Sequence, residues 1–415
     1  MDKWLRFFQD ASENQILENP EAIAQMFSLD VGTPHVAVIQ ANLSQSSEGE
    51  INRTVEQANV MKGDWPGFVS LCKAYIHWCV NVDPANPGNS FESFAKVFLA
   101  LQQAFANVRG SCLNILIQHV VWTMERLFMN RGKLHVEWIA AGILKLFNSV
   151  RSERELPAFG ISKKDNILFY ANMISRVYFK SEQFVSAGNV FKNMYSLDVR
   201  FSQFPLSQQV EYRYWVGRFC IYANQLEQAY MHLNWAWSKC NSNQPQYFLI
   251  LNWLVLPSVL IGRIPSAALL SLLSREAQDA VSTVAQAMKT GQYPPHLVEV
   301  LQHNPWIQSR HLRPIVEAHL PILVFRKGIH RLIKLSGLDR LPLQLCRSAC
   351  HFTVADDPDL VLTEAVCIEL ISKGLMKGNL LPRSGLVALK SRGSIPSLSE
   401  YYDLRLPERE SWLLA

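Results

Sequence analysis

A helical hairpin that occurs twice in succession constrains the fold of this chain most strongly. Residues 211–240 carry apolar side chains at helical spacing on both sides of a short polar break at residues 223–225. Two helices joined by so few residues must lie antiparallel. Residues 165–196 align with this hairpin without gaps at an offset of 42 residues, and the alignment matches Ala187 with Ala229 and Arg176 with Arg218. Any two amphipathic hairpins align to some degree, but these coincidences favour a true repeat, which predicts a solenoid of stacked helical units.

Helical patterns dominate the rest of the chain as well. Before residue 370 the only strand-like segment is residues 36–39. The most apolar run, residues 247–261, is shorter than the roughly 20 residues that a membrane span needs, so it predicts a buried helix that breaks at Pro257. Residues 306–320 and 322–335 are predicted as two further helices on either side of Pro321.

The pattern changes after residue 335. Two short helices are predicted at residues 343–352 and 359–371, followed by short strands at 375–380 and 386–389 around a turn. Together with the preceding helix, this is the element order of a winged helix. We therefore predict an all-α, helical-repeat (TPR-like) solenoid that ends in a C-terminal winged helix.

Four regions follow from these patterns. They are N-terminal helical repeats (1–164), a helical-repeat subdomain (165–321), a winged-helix subdomain (322–392) and a C-terminal tail (393–415). In the tail, Tyr401, Tyr402 and residues 412–414 are candidates for docking onto the folded domain.

The positive charge of the chain is confined to one segment. Residues 325–392 hold eleven Lys or Arg and six Asp or Glu, whereas the remainder holds 29 of each, so the whole net charge of +5 lies there. Such an asymmetry indicates an anionic partner. The candidate nucleic-acid-binding residues are Arg326, Lys327, Arg331 and Lys334 on the helix 322–335, and Lys373, Lys377, Arg383, Lys390 and Arg392 on the strands and wing. The alternative is that these are ordinary solvated cations.

The third helix of the predicted winged helix argues against sequence-specific DNA reading. It contains no Lys or Arg and opens with Asp356, Asp357 and Asp359, which would repel phosphate. The remaining mode is backbone binding, which depends weakly on sequence and strongly on salt.

Signatures of enzymes, cofactors and metals are missing from the sequence. It has no phosphate-binding Gly-x4-Gly-Lys-Ser/Thr loop, no dinucleotide fingerprint, no His-Glu-x-x-His and no Gly-x-Ser-x-Gly. Cys346, Cys350 and His351 share a helix face, but no second ligand pair with zinc-like spacing lies nearby. The start also lacks the apolar core of a signal peptide. We therefore expect no catalysis, cofactor, metal or membrane contact.

Residues 212–218, Tyr-Arg-Tyr-Trp-Val-Gly-Arg, carry a family resemblance. They resemble the Tyr-x-Tyr-Tyr-x-Gly-Arg motif of one branch of the PCI-domain family, with Trp215 in place of a tyrosine. Leu256-Pro257 followed by Gly262 and Pro265 is similar to a second motif of that branch, although Ile261 stands where leucine is usual. The structural motif residues are Tyr212, Tyr214, Trp215, Gly217, Arg218, Ala229, Leu233, Pro257, Gly262 and Pro265. The branch is that of mRNA-export PCI proteins (Thp/PCI-domain-containing, TREX-two), closely similar to a COP-nine-signalosome-like subunit.

The resemblance implies a non-enzymatic scaffold of a nuclear mRNA-export complex that couples transcription elongation to export. It implies a larger PCI partner of the Sac/GANP type, the small acidic Sem/DSS protein, and a nucleic-acid surface formed by paired winged helices. It further implies a location in the nucleus, at the nuclear pore, with some protein in the cytoplasm. The alternative is a structural subunit of a signalosome-like or splicing-linked complex that acts only through protein contacts.

Overall fold

The computed structural model describes residues 4, 18–153, 162–197, 199–354, 359–390, 393–402 and 404–414, without the side chains of residues 62 and 350–354. The chain divides into two compact units, Met1–Phe204 and Pro205–Ala415. The predicted boundaries at 164/165, 321/322 and 392/393 lie inside these units and stay predictions. None of the described helices is long and apolar enough to cross a lipid bilayer.

The first unit is helical throughout its described part. Its α-helices are α1 (Pro20–Met26), α2 (Pro34–Leu43), α3 (Glu48–Gln57), α4 (Pro66–Asn81), α5 (Phe91–Phe105), α6 (Asn114–Phe128), α7 (Lys133–Arg151), α8 (Ile167–Lys180) and α9 (Phe184–Tyr195). The strand-like segment 36–39 lies inside α2, so that prediction is wrong. Pro34 at the first turn of α2 supplies a helical φ, and Val36, Ile39 and Leu43 recur at helical spacing and are buried.

The second unit continues as helices and ends in a small sheet. Its elements are α10 (Leu206–Tyr222), α11 (Leu226–Lys239), α12 (Pro245–Leu260), α13 (Ala267–Leu270), α14 (Arg275–Thr290), α15 (Pro295–His303), α16 (Pro305–Ser309), α17 (Arg313–Ser336), β1 (Arg340–Pro342), α18 (Leu343–Val354), α19 (Leu360–Ser372), β2 (Gly378–Leu381), β3 (Leu386–Leu389) and α20 (Leu398–Tyr401), followed by a 3-10 segment (Glu408–Leu414).

The turn of the repeated hairpin has the same geometry in both copies. Glu182, between α8 and α9, has φ 59°, and Asn224, between α10 and α11, has φ 60°. In each case the next residue donates its N–H to the carbonyl five residues earlier, at 2.8 Å, as in a Schellman motif. Gly262 ends α12 in the same way, with φ 87°. The repeat predicted at an offset of 42 residues is thus present in the backbone.

Two helix breaks that prolines predicted do not occur. Pro257 lies inside α12, and Pro321 lies inside α17, a single helix where two were predicted. A proline removes one backbone hydrogen bond from a helix, and burial of the surrounding apolar residues outweighs that loss. Around Pro257 the neighbours Leu256 and Val259 are both buried.

The winged helix is present, with one strand that the sequence pattern missed. The three strands form an antiparallel sheet in the order β1-β3-β2. β1 escaped prediction because its three residues contain a single apolar residue, Leu341, which faces Val387 of β3 across the sheet. The core beneath the sheet joins these two residues to Ile329 of α17 and Cys346 of α18, along with Cys367 of α19.

The C-terminal segment Glu408–Leu414, which we call the strap, docks on the hairpin α10–α11. The rings of Trp412 and Tyr212 meet edge to face at 5.7 Å, and Arg213 donates to the carbonyl of Leu413 at 2.8 Å. Nε2 of His232 lies 2.9 Å from a carboxylate oxygen of Glu410, and both side chains are buried. Trp412 and Leu413 thus dock as predicted from their apolar character, whereas Leu414 is 75% exposed.

Candidate nucleic-acid interface

Two lysines face each other at the base of the wing. The N–H of Lys390 donates to the carbonyl of Lys377 at 3.0 Å, next to the register pair Gly378–Leu389. Continuing the register of β2 and β3 by one residue sets Lys377 opposite Lys390, on the side of the sheet away from the buried Val387, and both lysines are exposed. Like charges directly opposite each other destabilise a sheet, and an anion between them would relieve that repulsion.

Arg340 adds a third cation to this face. It is exposed on β1 and pairs with Ala388, which lies on the same side of β3 as Lys390. Arg340 is not among the residues predicted to bind nucleic acid, because the sequence pattern does not predict β1. Arg383, also exposed, lies in the 3-10 turn Pro382–Ser384 between β2 and β3. We call Arg340, Lys377, Arg383 and Lys390 the basic sheet face.

Lys373 is less available than these four residues. It follows the end of α19 and forms an ion pair with Glu369 at 2.7 Å, one helical turn away. Burial and, after it, the charge of Lys373 lower the pKa of His319 to about 4, which places Lys373 close to α17.

The predicted cations of α17 are engaged in packing to different degrees. Arg326 is buried and donates to the carbonyl of Pro396, and burial lowers its pKa. Arg331 is exposed but donates to the carbonyl of Thr290 at the end of α14. Lys327 is half-buried, and Lys334 is exposed. None of these four cations of α17 belongs to the basic sheet face.

Three charged residues of the predicted winged helix lie outside the described residues. They are Arg392, assigned to the wing, and Asp356 and Asp357, placed before the third helix. Asp359 is described, and its carboxylate accepts from the N–H of Leu362 at 2.6 Å as the N-cap of α19.

The outer surface of α19 is mostly apolar, with the half-buried Glu364 on the same face. Val361 is 73% exposed, Leu362 51% and Ile368 49%, and Leu360 beside them is also exposed. Val361 and Ile368 are seven residues apart, so they lie on one face of the helix. A contiguous exposed apolar surface on a folded domain marks a protein contact. The sequence shows an apolar helix, but not which of its sides the winged-helix core leaves uncovered.

The family-motif residues hold the hairpin and the tail in place. A Cβ atom at Gly217 would lie 2.6 Å from Cγ of Leu233, so this pair of helices needs glycine at that position. Gly262 approaches Leu398 of α20 in the same way, and its φ of 87° favours glycine. Five other motif residues, Tyr212, Tyr214, Trp215, Ala229 and Pro257, are buried, whereas Arg218 and Pro265 are half-buried.

Comparison with known proteins places these features in a family context. No family model matches the chain. Nuclear mRNA export protein THP1 of Saccharomyces cerevisiae is 24% identical over 407 residues, which cover 88% of this chain and 89% of that protein. A PCI domain-containing protein of Schizosaccharomyces pombe is 22% identical over 412 residues, 92% of each chain. The resemblance to PCI-domain proteins is confirmed.

The signalosome-like side of the resemblance also has a counterpart. A protein of Neurospora crassa named as a CSN12 homolog is 27% identical over 252 residues, 57% of this chain and 56% of that protein. This chain is therefore similar to proteins of both branches, and its architecture is a helical solenoid followed by a winged helix.

Proposed function

We propose that this protein is a non-enzymatic scaffold of a nuclear mRNA-export complex and that it holds RNA by its phosphates on the basic sheet face. The observation that carries the proposal is the cross-strand pair Lys377–Lys390, two like charges on one exposed side of a sheet. The relative named as a nuclear mRNA export protein, which matches most of the chain, supports the cellular role.

The chemistry of this face suits a phosphate backbone. Arg340, Lys377 and Lys390 share one side of the sheet, and Arg383 lies in the wing beyond it. Cations placed in this way bind phosphates without reading bases, so binding weakens steeply as salt rises. Among the exposed residues of α19 there is no cation before Lys373, so base reading by that helix forms no part of the proposal.

The proposed protein partner is a larger PCI protein of the Sac/GANP type, which packs on the exposed apolar surface of α19. Burial of Val361 and Ile368 against another winged helix would remove apolar area from water and leave the basic sheet face accessible beside it. The small acidic Sem/DSS protein completes the proposed complex, in the nucleus and at the nuclear pore.

Charge reversal on the sheet tests the proposal. We expect the double variant Lys377→Glu/Lys390→Glu to weaken binding of a single-stranded RNA oligonucleotide by the assembled complex. The slope of log K against log salt should shrink by roughly 0.7 for each lost phosphate contact. The matched control, Lys145→Glu/Lys192→Glu, makes the same charge change at two exposed lysines of the first unit and should bind like the wild type.

RNA binding that survives the Lys377/Lys390 reversal with an unchanged salt slope would reject the sheet as the contact. That outcome would favour the second candidate function, a PCI subunit that acts only through protein contacts. The exposed apolar surface of α19 supports this candidate independently of the charges.

A further inference from the structure

The C-terminal half of α17 carries three cations and an imidazole on one side. Lys327, His330, Arg331 and Lys334 lie at helical spacing on one face of the helix, and we call these four residues the α17 strip. Residues 318–336 of the same helix include no Asp or Glu. At 1.5 Å per residue, the strip extends over about 10 Å.

The end of α14 holds two members of the strip in position. One guanidinium nitrogen of Arg331 donates to the carbonyl of Thr290, and the other donates to that of Lys289 at 3.4 Å. The stem of Lys327 packs on the C-cap of α14, since a Cβ atom at Gly291 would lie 3.2 Å from its Cγ. This facing segment, residues 280–298, also contains no Asp or Glu.

Carboxylates do not balance the cations of the α17 strip in the part of the chain that the structure describes. Lys327, Arg331 and Lys334 form no ion pair there. The acids nearest to them in the sequence are Glu317, which pairs with Arg313 at 2.7 Å, and Asp339, which is exposed beyond the end of α17. The strip is therefore a local excess of positive charge.

His330 lies within this excess of charge. It is half-buried, and burial lowers its pKa, which the charges of Lys334, Arg326 and Lys327 lower further. These three cations are all on α17, and no other described element packed against it adds a charged group that shifts His330. Since every charged neighbour opposes protonation, an anion beside the imidazole would favour it. His330 thus gains its charge most readily when an anion is bound.

We propose that the α17 strip is a second phosphate contact for the RNA on the basic sheet face, and that His330 takes up a proton when this RNA binds. The inference rests on the proposed function, because it assigns the same ligand. A row of cations along a helix suits a phosphate backbone, whose charges repeat along the strand. Only residues 337–339 separate α17 from Arg340 of the basic sheet face, so the two contacts adjoin each other in the chain.

The pH dependence of oligouridine binding by the assembled complex tests the inference, because uridine itself does not titrate near neutral pH. Between about pH 7.5 and about pH 5.5 we expect the affinity of the wild type to rise about tenfold, as when RNA raises the pKa of His330 by one unit. His330→Gln removes the titrating group and should flatten this rise. The matched control is His119→Gln, at an exposed histidine of α6 in the first unit, which should behave as the wild type does.

Salt dependence tests the cations of the strip. Lys327→Gln/Lys334→Gln should reduce the slope of log K against log salt by roughly 0.7 for each lost phosphate contact. An unchanged slope in this variant would overturn the inference, and so would a wild-type pH dependence in His330→Gln. Displacement of the oligouridine by a peptide of alternating glutamate and alanine at matched charge would also overturn it, since carboxylates would then be the ligand.

The α17 strip and the basic sheet face can fail separately. Lys377→Glu/Lys390→Glu should weaken binding at both pH values and keep the rise on acidification. Full binding by that variant, together with a flat profile for His330→Gln, would reject the basic sheet face and support the strip. No binding of oligouridine by the wild-type complex would reject both.

Discussion

Removal of the Glu410 carboxylate should release the strap from the hairpin α10–α11. Glu410 is 1% exposed and lies against His232, which is fully buried. Burial lowers the pKa of His232, so its imidazole is neutral and donates Nε2–H to the carboxylate. Two positive charges lie near Glu410. Nε of the exposed Arg409 is 3.9 Å from one of its carboxylate oxygens. The other charge is that of Arg213, which is buried and whose pKa burial lowers to about 10 against the opposing effect of Glu410.

The magnitude follows from what the substitution Glu410→Ala leaves behind. The Arg213 charge would stay buried without this carboxylate, and removing one partner of a buried charge pair typically costs about 3–5 kcal/mol. Because the affected groups lie at one end of the chain, the loss should appear first as local opening of the strap. At about 1.4 kcal/mol per factor of ten, an opening cost lowered by 3 kcal/mol raises amide exchange by more than about a hundredfold.

Hydrogen–deuterium exchange of the full chain measures this opening segment by segment. Glu410→Ala should speed exchange in peptides from the strap and α11 and leave the first unit unchanged. The control is Glu408→Ala, which removes the same charge at an exposed position two residues earlier. Surface changes of that kind cost about 0.5 kcal/mol or less. Equal exchange in the two variants would refute the view that the buried carboxylate holds the strap.

Two further predictions concern the winged helix. Val361→Asp/Ile368→Asp should abolish capture of the PCI partner by the tagged full chain. The far-ultraviolet circular dichroism should stay unchanged, because both side chains are exposed. Capture at the wild-type level would reject α19 as the contact. His319 has a folded pKa of about 4, below its ordinary 6.5, so the unfolded chain takes up a proton more readily and stability should fall as pH drops below 6.5. The groups that face His319 are Asn224, Glu369 and Lys373. His319→Gln should flatten the pH dependence of the free energy of unfolding below pH 6.5, measured by urea unfolding. An identical pH dependence in both proteins would contradict the lowered pKa of His319.

The hairpin and the winged-helix order could be predicted because their signals are local. Short polar breaks, helical spacing and an exact offset between two copies fix the turns at Glu182 and Asn224. Pro257 and Pro321 misled the prediction because the cost of a proline in a helix is local, whereas the burial that offsets it comes from distant residues. β1 was missed because its three residues form a strand only through pairing with β3.

The candidate sites also combine features that the sequence shows with features that only the fold decides. The concentration of cations after residue 325 is visible in the sequence, but burial decides which of them reach solvent. Arg326 faces Pro396, whereas Arg340 is exposed on a strand. The guanidiniums of Arg218 and Arg310 lie 4.1 Å and 5.6 Å from the ring centre of Trp253, although these residues are far apart in the chain, and helical spacing does not predict such a cluster.

The continuity of α17 has a mechanical consequence. The helix runs 24 residues through Pro321, about 36 Å at 1.5 Å per residue, from the last solenoid helices into the winged-helix core. It packs on both α14 and α18. No loop interrupts α17 between the solenoid helices of the second unit and the winged-helix core. The basic sheet face therefore cannot rotate relative to those helices unless α17 breaks. Access to that face is therefore better controlled by a partner that covers it than by rotation of the winged helix.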